Sequence, residues 1–461
     1  MPEPLWTSGE LAAATGGAVV GGPFAVGGVS IDSRDIAPGD LFVALAGVRD
    51  GHEFAAGALA SGAAAVLASR PVDGPHVLVE DTFTALEKLG VAARRRNNGR
   101  RAAITGSVGK TSVTQAVAAG LALAGRWHSS VKSYNNHIGV PLTLARMPRD
   151  TERAVFEIGM NHAGEITPLS SFVRPHVAAV TTVGPVHIEN FPDGETGVAR
   201  AKAEIFAGLE PGGVAVLNAD NPWFDLLKAE AGKVGARVRA FGSGAGADAR
   251  LTGFEAREGH AMVHAVLDGE ALSFPLLQTG HHWGLNSLCV LLVLEAMDVA
   301  RGTALAALEG FAPLAGRGAE KTVGIAGGAF TLIDESYNAN PISMNAAFRT
   351  LGARAASGRR IVALTDMLEL GDQAAAFHAG LAAPIEAAGI DQVYCAGPMM
   401  KSLWDALPPT RRGGYAESAA GIAPVIAGAV RPGDLVMVKG SNGSRASTIA
   451  AALAALDQGG N

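Results

Sequence analysis

Apolar and polar positions along this chain fall into two rhythms that alternate from end to end. Short apolar runs recur, bounded by Gly, Pro, Asp or Asn. Between them lie longer stretches whose apolar residues repeat at helical spacing. The runs predict buried strands near residues 26–29, 41–45, 63–67, 102–104, 153–158, 177–183, 213–217, 330–334, 360–365, 393–395 and 435–438. The longer stretches predict helices over 8–14, 50–59, 112–124, 195–209 and 287–297, with another starting at 342. In the 195–209 stretch Ala199, Ala203, Phe206 and Leu209 share one face, and Lys202 by default reads as a snorkelling surface lysine. Residues 251–274 alternate instead and predict a β-meander. Strands that alternate with helices predict parallel sheets of the α/β class. Polar residues repeatedly follow the strand ends, and in a doubly wound sheet such residues collect along one edge, where ligands bind.

Length sharpens this picture. A chain of 461 residues holds about three domains at ~150 residues each. Three α/β units are expected: a small one over residues 1–98, a central one with a mostly parallel sheet over 99–314, and a Rossmann-like one over 315–461. The formal net charge of −6 argues against a nucleic-acid binder, which carries a basic stripe. The one basic run, Arg94-Arg95-Arg96 with Arg100-Arg101, reads as a solvated linker. Cys289 and Cys395 each lie in apolar segments and read as small core residues of a reducing compartment. Met1-Pro2-Glu3-Pro4 shows no signal-peptide pattern, and the apolar run 287–297 is too short to span a bilayer and contains Glu295. A soluble cytoplasmic protein is expected.

The chemistry concentrates at Thr105-Gly106-Ser107-Val108-Gly109-Lys110-Thr111, which follows the run 102–104 and precedes the helix that begins near Ser112. Strand, Gly-rich turn, Lys-Thr and helix form the layout of a phosphate-binding loop. Glycines let the backbone approach an anion, and N–H groups at the helix start point at it. Lys110 would meet outer phosphates and Thr111 would offer its hydroxyl to Mg²⁺. The loop is shorter than the full Walker A pattern, with Ile104 where the first Gly would stand. The bland alternative is an ordinary turn with an exposed lysine.

Other polar stretches carry weaker signals. Asp32-Ser33-Arg34 would suit a phosphate or a sugar, or be a capped turn. Asn135-Asn136 suits a binding loop or a plain turn. Glu157 ends a buried strand, so it needs a partner, and Mg²⁺ beside a phosphate loop would be one. His187 follows a strand end, where a satisfied hydrogen-bonding histidine is the commoner reading. Arg317, after Gly316, is placed to reach a nucleotide phosphate.

Jointly these stretches resemble one family. The loop at 105–111, Glu157, His187, Ala201-Lys202-Ala203-Glu204-Ile205-Phe206, Asn286, Gly316-Arg317 and Asp334 are similar to the marks of the Mur ligases. These are ATP-dependent amide ligases that build the peptidoglycan stem peptide. Asn135 through Leu144, Tyr337-Asn338-Ala339-Asn340-Pro341, Asp366-Met367-Leu368-Glu369-Leu370-Gly371 and Lys439-Gly440-Ser441 resemble its D-alanyl-D-alanine-adding branch. Glu335 and Asn442 depart from that pattern, which usually has Asp and Arg there.

The resemblance implies a central P-loop ATPase-like domain that uses ATP and Mg²⁺, two ions in all, with Lys202 carbamylated by CO₂. Lys110, Glu157, His187 and Lys202 would be catalytic. Thr111, Glu157, His187 and Lys202 would serve the metals. Thr105, Gly106, Ser107, Val108, Gly109, Lys110, Thr111, Ser112, Asn286, Arg317, Asp334 and Asn338 would hold ATP. Ser30, Asp32, Ser33, Arg34, Asn135 and Asn136 would hold the sugar-nucleotide substrate. The substrates implied are UDP-N-acetylmuramoyl-tripeptide and D-alanyl-D-alanine, joined through an acyl phosphate by a monomer. Three rivals stand beside this reading: a folylpolyglutamate-synthetase-like ligase, a P-loop kinase or regulatory NTPase, and an idle binding protein. Only the first of them shares the later two domains, and it lacks the Ser-x-Asp-Ser-Arg stretch of residues 30–34.

Overall fold

A computed structural model of the chain describes residues 3–131, 133–257 and 259–457. Three main sheets follow one another along it. In the first, Gly28–Ser30, Asp40–Val43, Ala65–Ala68 and His76–Leu78 run parallel, and Ala18–Val20 closes one edge antiparallel. In the last, Gly328–Glu335, Leu435–Lys439, Arg360–Thr365, Gln392–Ala396 and Arg412–Ala416 lie parallel in that order, and Ala319–Ile325 forms an antiparallel hairpin on the outer edge.

The central sheet sets the site. Arg100–Thr105 lies between Arg153–Glu157 and Val177–Val180, all parallel, and the expected meander appears as Ala249–Arg257, His260–Leu267 and Glu270–Leu276 at the far edge. Arg100–Thr105, Arg153–Glu157, Val177–Val180 and Val214–Asn218 are buried on both faces past their first residues, as continuous apolar runs in a parallel sheet must be. One face carries the helices Lys110–Ala124 and Trp283–Ala296. They approach so closely at Gly120 that a Cβ there would meet Leu294 Cδ1 at 2.5 Å. The other face carries Ile166–Val173, Glu195–Ala203 and Phe224–Lys233. Register places Glu157 opposite Ile104 and Val180 opposite Thr105, so three strand ends finish level with the phosphate loop.

Two expectations are corrected. The basic run is not a solvated linker. Arg94 and Arg95 end the helix Thr82–Arg95, Arg96 stacks 3.6 Å over the Trp6 ring, and Arg101 is 5% exposed. Arg94 and Arg101 donate to the Phe172 and Val173 carbonyls at 3.2 and 2.8 Å. The guanidinium groups thus satisfy the orphan acceptors that end the helix Ile166–Val173. The 195–209 helix is also shorter than periodicity suggests: it is α-helical over Glu195–Ala203 and tightens to a 3₁₀ turn over Glu204–Gly208. There Ser170 donates to the Ile205 carbonyl at 2.5 Å, and Gly208 lies against Ser170 with no room for a Cβ. Both cysteines are buried and free, and burial pushes the Cys395 thiol up to about 12. Among the described residues no helix is long and apolar enough to cross a membrane.

Two histidines couple this packing to pH. Burial, with Arg146 nearby, pushes His128 down to about 4. Burial, with Arg101 and Arg100, does the same to His176. Both rings are therefore neutral in the fold at a pH where the unfolded chain protonates them. Their contribution is complete above pH 6.5 and is lost as pH falls toward 4, on the order of 1 kcal/mol each once solvent screening of these part-exposed rings is allowed for. Urea unfolding at pH 7.5 and 5.0 checks this: His128→Gln and His176→Gln should each lose less stability on acidification than the parent.

Candidate active site

The phosphate loop is held open by its neighbours. Gly109 (φ 84°) caps the start of the helix Lys110–Ala124, and Gly106 adopts φ 150°. A Cβ on Gly106 would lie 1.9 Å from Thr181 Oγ1. That hydroxyl donates to the Val108 carbonyl at 2.6 Å, and Ser107 exchanges hydrogen bonds with Gly184 at 3.1 and 3.0 Å. The segment 181–184 therefore fixes the loop from the adjacent strand end. Lys110 curls back so that Nζ donates to the Gly106 carbonyl at 2.8 Å. Burial lowers the Lys110 pKa; Glu157 opposes that shift and Arg317 adds to it. The Asn286 amide sits over Gly109, 3.4 Å from where a Cβ would stand.

Glu157 is 3% exposed at its strand end and accepts from Asn135 Nδ2 at 2.7 Å on Oε1. Among the described residues its other oxygen has no hydrogen bond or ion pair within the chain. Asn136 turns the other way, its Oδ1 accepting from the Ile138 and Gly139 N–H groups at 3.2 and 2.9 Å. It thus caps the helix Gly139–Ala145. Lys202 overturns the surface expectation: it is 2% exposed. Burial first, then the Lys110 charge, holds its pKa well below the usual ammonium value. Among the described residues Lys202 has no hydrogen bond or ion pair to compensate. Glu204 fixes the turn after it by accepting from the Gly164, Ile166 and Thr167 N–H groups at 2.6, 3.1 and 3.1 Å.

The last unit reaches across to the loop. Arg317 stacks 4.2 Å from the Tyr337 ring centroid and donates to Thr111 Oγ1 at 3.1 Å. Asp334 Oδ1 accepts from the Ser336 N–H at 3.0 Å, and the Asn338 carbonyl accepts from Lys439, which also meets Glu335 at 3.2 Å. His187 faces Glu369 of the last unit, Nδ1 to Oε2 at 2.7 Å, although Nδ1 makes no aligned hydrogen bond. In the first sheet Ser30 donates to the Asp32 and Asp35 carbonyls at 3.2 Å each. Asp32 there grips Arg34 at 2.8 and 2.7 Å, while Ser33 is half-buried and Arg34 exposed. The structure thus brings Thr105 through Ser112, Asn135, Glu157, Lys202, Asn286 and Arg317 to one edge. Ser30 through Arg34 lie on the first unit, where Ile31 shares an apolar cluster with Tyr134 and Ile138 of the central unit. Thr181, which braces the loop, was missed, and Glu204 stood in the quoted stretch Ala201 through Phe206 without its bracing role. The polar pair Thr181-Thr182 at the end of the apolar run 177–183 was the signal for Thr181, since the strand itself stops at Val180.

Among the described residues no three His, Cys, Asp or Glu side chains converge as a metal cage. The oxygens at hand are the Thr111 hydroxyl and the half-used Glu157 carboxylate. Such a donor set fits Mg²⁺, which takes one or two protein oxygens and completes its shell with phosphates and water.

Three family models match along the chain: Mur ligase family, catalytic domain, over residues 25–119; Mur ligase middle domain over 104–294; and Mur ligase, glutamate ligase domain, over 321–442. The UDP-N-acetylmuramoyl-tripeptide–D-alanyl-D-alanine ligase of Escherichia coli is 37% identical over 85% of this chain and 86% of its own length. The chain belongs to the Mur ligase family. The ligase of the same name from Bacillus subtilis is 34% identical over 81% of this Mur ligase and 80% of its own length. Among solved structures, MurF from Acinetobacter baumannii superposes with a TM-score of 0.86 at 28% identity, covering 98% of this chain and 99% of that one. Folylpolyglutamate synthase of Mycobacterium tuberculosis reaches 0.64 at 19% identity, over 82% of this chain and 95% of that one, a likeness of fold alone.

Arg317 offers a direct test of the site. Its planar head serves both the Tyr337 face and the Thr111 hydroxyl, which a lysine ammonium cannot do at once. Arg317→Lys should raise the KM for ATP about tenfold, the loss of roughly one charge-assisted hydrogen bond. Initial-rate kinetics over a range of ATP concentrations would check it.

Proposed function

We propose that this Mur ligase joins D-alanyl-D-alanine to UDP-N-acetylmuramoyl-tripeptide, with ATP converted to ADP and phosphate, and so forms UDP-N-acetylmuramoyl-pentapeptide for peptidoglycan synthesis. The observation that carries this reading is the likeness, along nearly the whole chain, to ligases of that activity at 37 and 34% identity. The same likeness implies a mechanism that the residues at the loop can serve. The terminal carboxylate of the tripeptide attacks the γ-phosphorus of ATP, the bond to ADP breaks, and an acyl phosphate results. The dipeptide amine then attacks the acyl carbon, loses a proton, and phosphate leaves.

The first step brings two anions together. Lys110, enclosed at the loop, faces the transferred phosphoryl group and stabilises its charge where water is scarce. Thr111 and Glu157 would hold Mg²⁺, which when bound neutralises phosphate charge. Burial favours the neutral Lys202 amine, the form that adds CO₂. As a carbamate, Lys202 would offer anionic oxygens in place of an ammonium, and His187 would support the same second metal position. Asn286, Arg317, Asp334 and Asn338 would contact the nucleotide. Ser30, Asp32, Ser33 and Arg34, with Asn135 and Asn136, would hold the sugar-nucleotide, so that residues 1–98 bind its UDP end, 99–314 bind ATP and 315–461 bring the dipeptide. The enzyme would act as a cytoplasmic monomer.

Phosphate release, with mass spectrometry of the product, tests the reading across a panel of amines. Release that needs both the tripeptide and D-alanyl-D-alanine, with a pentapeptide product, is expected. Dependence on a single amino acid, or release that ignores the dipeptide, would overturn it.

A further inference from the structure

His187 and Glu369 lie 182 residues apart in sequence yet meet across the central and last units. Both backbones are left-handed, His187 at φ 55° and Glu369 at φ 64°. Non-glycine residues seldom hold that conformation, at a cost of order 1 kcal/mol or more, unless the surroundings impose it. Here two such residues point at each other, with Nδ1 to Oε2 at 2.7 Å. Beside them Gly371 packs on Glu189, a Cβ at 371 falling 2.8 Å from Glu189 Cβ, and Gly184 packs on Ile342. The loop after the strand Arg360–Thr365 is thus seated on the loop that braces Ser107 through Gly184. The imidazole is mostly enclosed, whereas the Glu369 side chain is 55% exposed, so the carboxylate comes to the ring from outside.

We propose that Glu369 is a positioning residue of the last unit: on docking it takes the Nδ1 side of His187, sets the tautomer and plane of the ring, and turns Nε2 toward the site. The contact distance is already reached, and a small rotation of the ring aligns the bond. A carboxylate behind a functional histidine fixes the hydrogen on the ring nitrogen facing it, leaving the other as an acceptor. Domain docking and assembly of the reacting centre then become one event. This inference rests on the ligase reading for its kinetic arm, but not for its structural one.

The test uses the full chain and Glu369→Ala, with Glu369→Gln to keep an acceptor oxygen at the same reach. Hydrogen–deuterium exchange of the segment 184–191 is followed without substrates, and kcat and KM with all three. In Glu369→Ala, exchange of 184–191 should rise although the change lies in another unit. In that variant kcat should fall about ten- to a hundredfold, the range for carboxylates that orient functional histidines, with KM for ATP within about twofold because the phosphate loop is untouched. Glu369→Gln should recover most of both. Unchanged exchange in Glu369→Ala, or a rise in KM in place of the loss in kcat, would overturn the proposal. An inactive parent enzyme would instead sink the ligase reading, and the exchange arm would still decide the contact.

Discussion

Replacing Lys202 by methionine is expected to lower turnover about a thousandfold, the scale of losing one charged group that acts on a transferring phosphoryl, while raising the stability of the unliganded enzyme. The two effects have one cause. Lys202 is 2% exposed, and burial with the Lys110 charge holds its pKa well down. A buried amine of that kind opposes folding, and the proposed mechanism gives a chemical reason to retain it. Because the folded chain then binds fewer protons than the unfolded one, stability of the parent climbs as pH rises from the lowered pKa toward the usual lysine value. In Lys202→Met that slope should flatten. In CO₂-free buffer at pH 7.5 its midpoint should rise by a few degrees, roughly the shift for 1 kcal/mol in a large chain. Phosphate release and thermal unfolding read the two arms. With ¹³CO₂, a carbamate resonance present in the parent and absent in the variant would tie the loss to carbamylation. Turnover within tenfold of the parent would remove Lys202 from the mechanism.

Lys110→Met should be as damaging to turnover, by about a thousandfold, and for a different reason. Lys110 touches the loop itself, at 2.8 Å from the Gly106 carbonyl, and in the proposed mechanism it brings positive charge to the point where two anions must meet. Binding of the sugar-nucleotide should be little affected, since Lys110 Nζ bonds the Gly106 carbonyl and neither Asn135 nor the stretch Ser30 through Arg34. Isothermal titration with UDP-N-acetylmuramoyl-tripeptide should therefore give a Kd within about twofold of the parent alongside the lost rate, less than 0.5 kcal/mol. Lys110→Arg should not rescue, because a planar guanidinium cannot fold back onto the Gly106 carbonyl as an ammonium does. Equal losses in binding and rate would mean that the substitution had disturbed the fold.

Much of this site was legible because its signals are local. A strand, two glycines and a Lys-Thr pair are contiguous, so the loop at 105–111 followed from the residues alone. Strands buried on both faces read as apolar runs, which placed most inner strands, though not the three-residue His76–Leu78 inside the first sheet. Edge strands did not read that way. Trp127–Ser129 and Arg412–Ala416 are short and mixed in character, and the inner strand Arg237–Gly242 escaped as well because it opens on Arg-Val-Arg, which is not fully buried. Pairing, not pattern, makes them strands. Lys202 looked like a surface residue because its enclosure comes from elements far away in sequence. Arg96 and Arg101 looked solvated because their partners, Trp6 and Val173, lie outside any window of periodicity. The meeting of His187 with Glu369 is of the same kind.

The measurement that bears most directly on this account uses UDP-N-acetylmuramoyl-tripeptide labelled with ¹⁸O in its terminal carboxylate. An acyl phosphate forms by attack of that carboxylate on phosphorus and is later cleaved between carbon and oxygen. In the presence of ATP and D-alanyl-D-alanine, each phosphate released should therefore carry one ¹⁸O, and the pentapeptide should retain the other. Unlabelled phosphate released with the same stoichiometry would contradict the account, because ATP would then have been split by water.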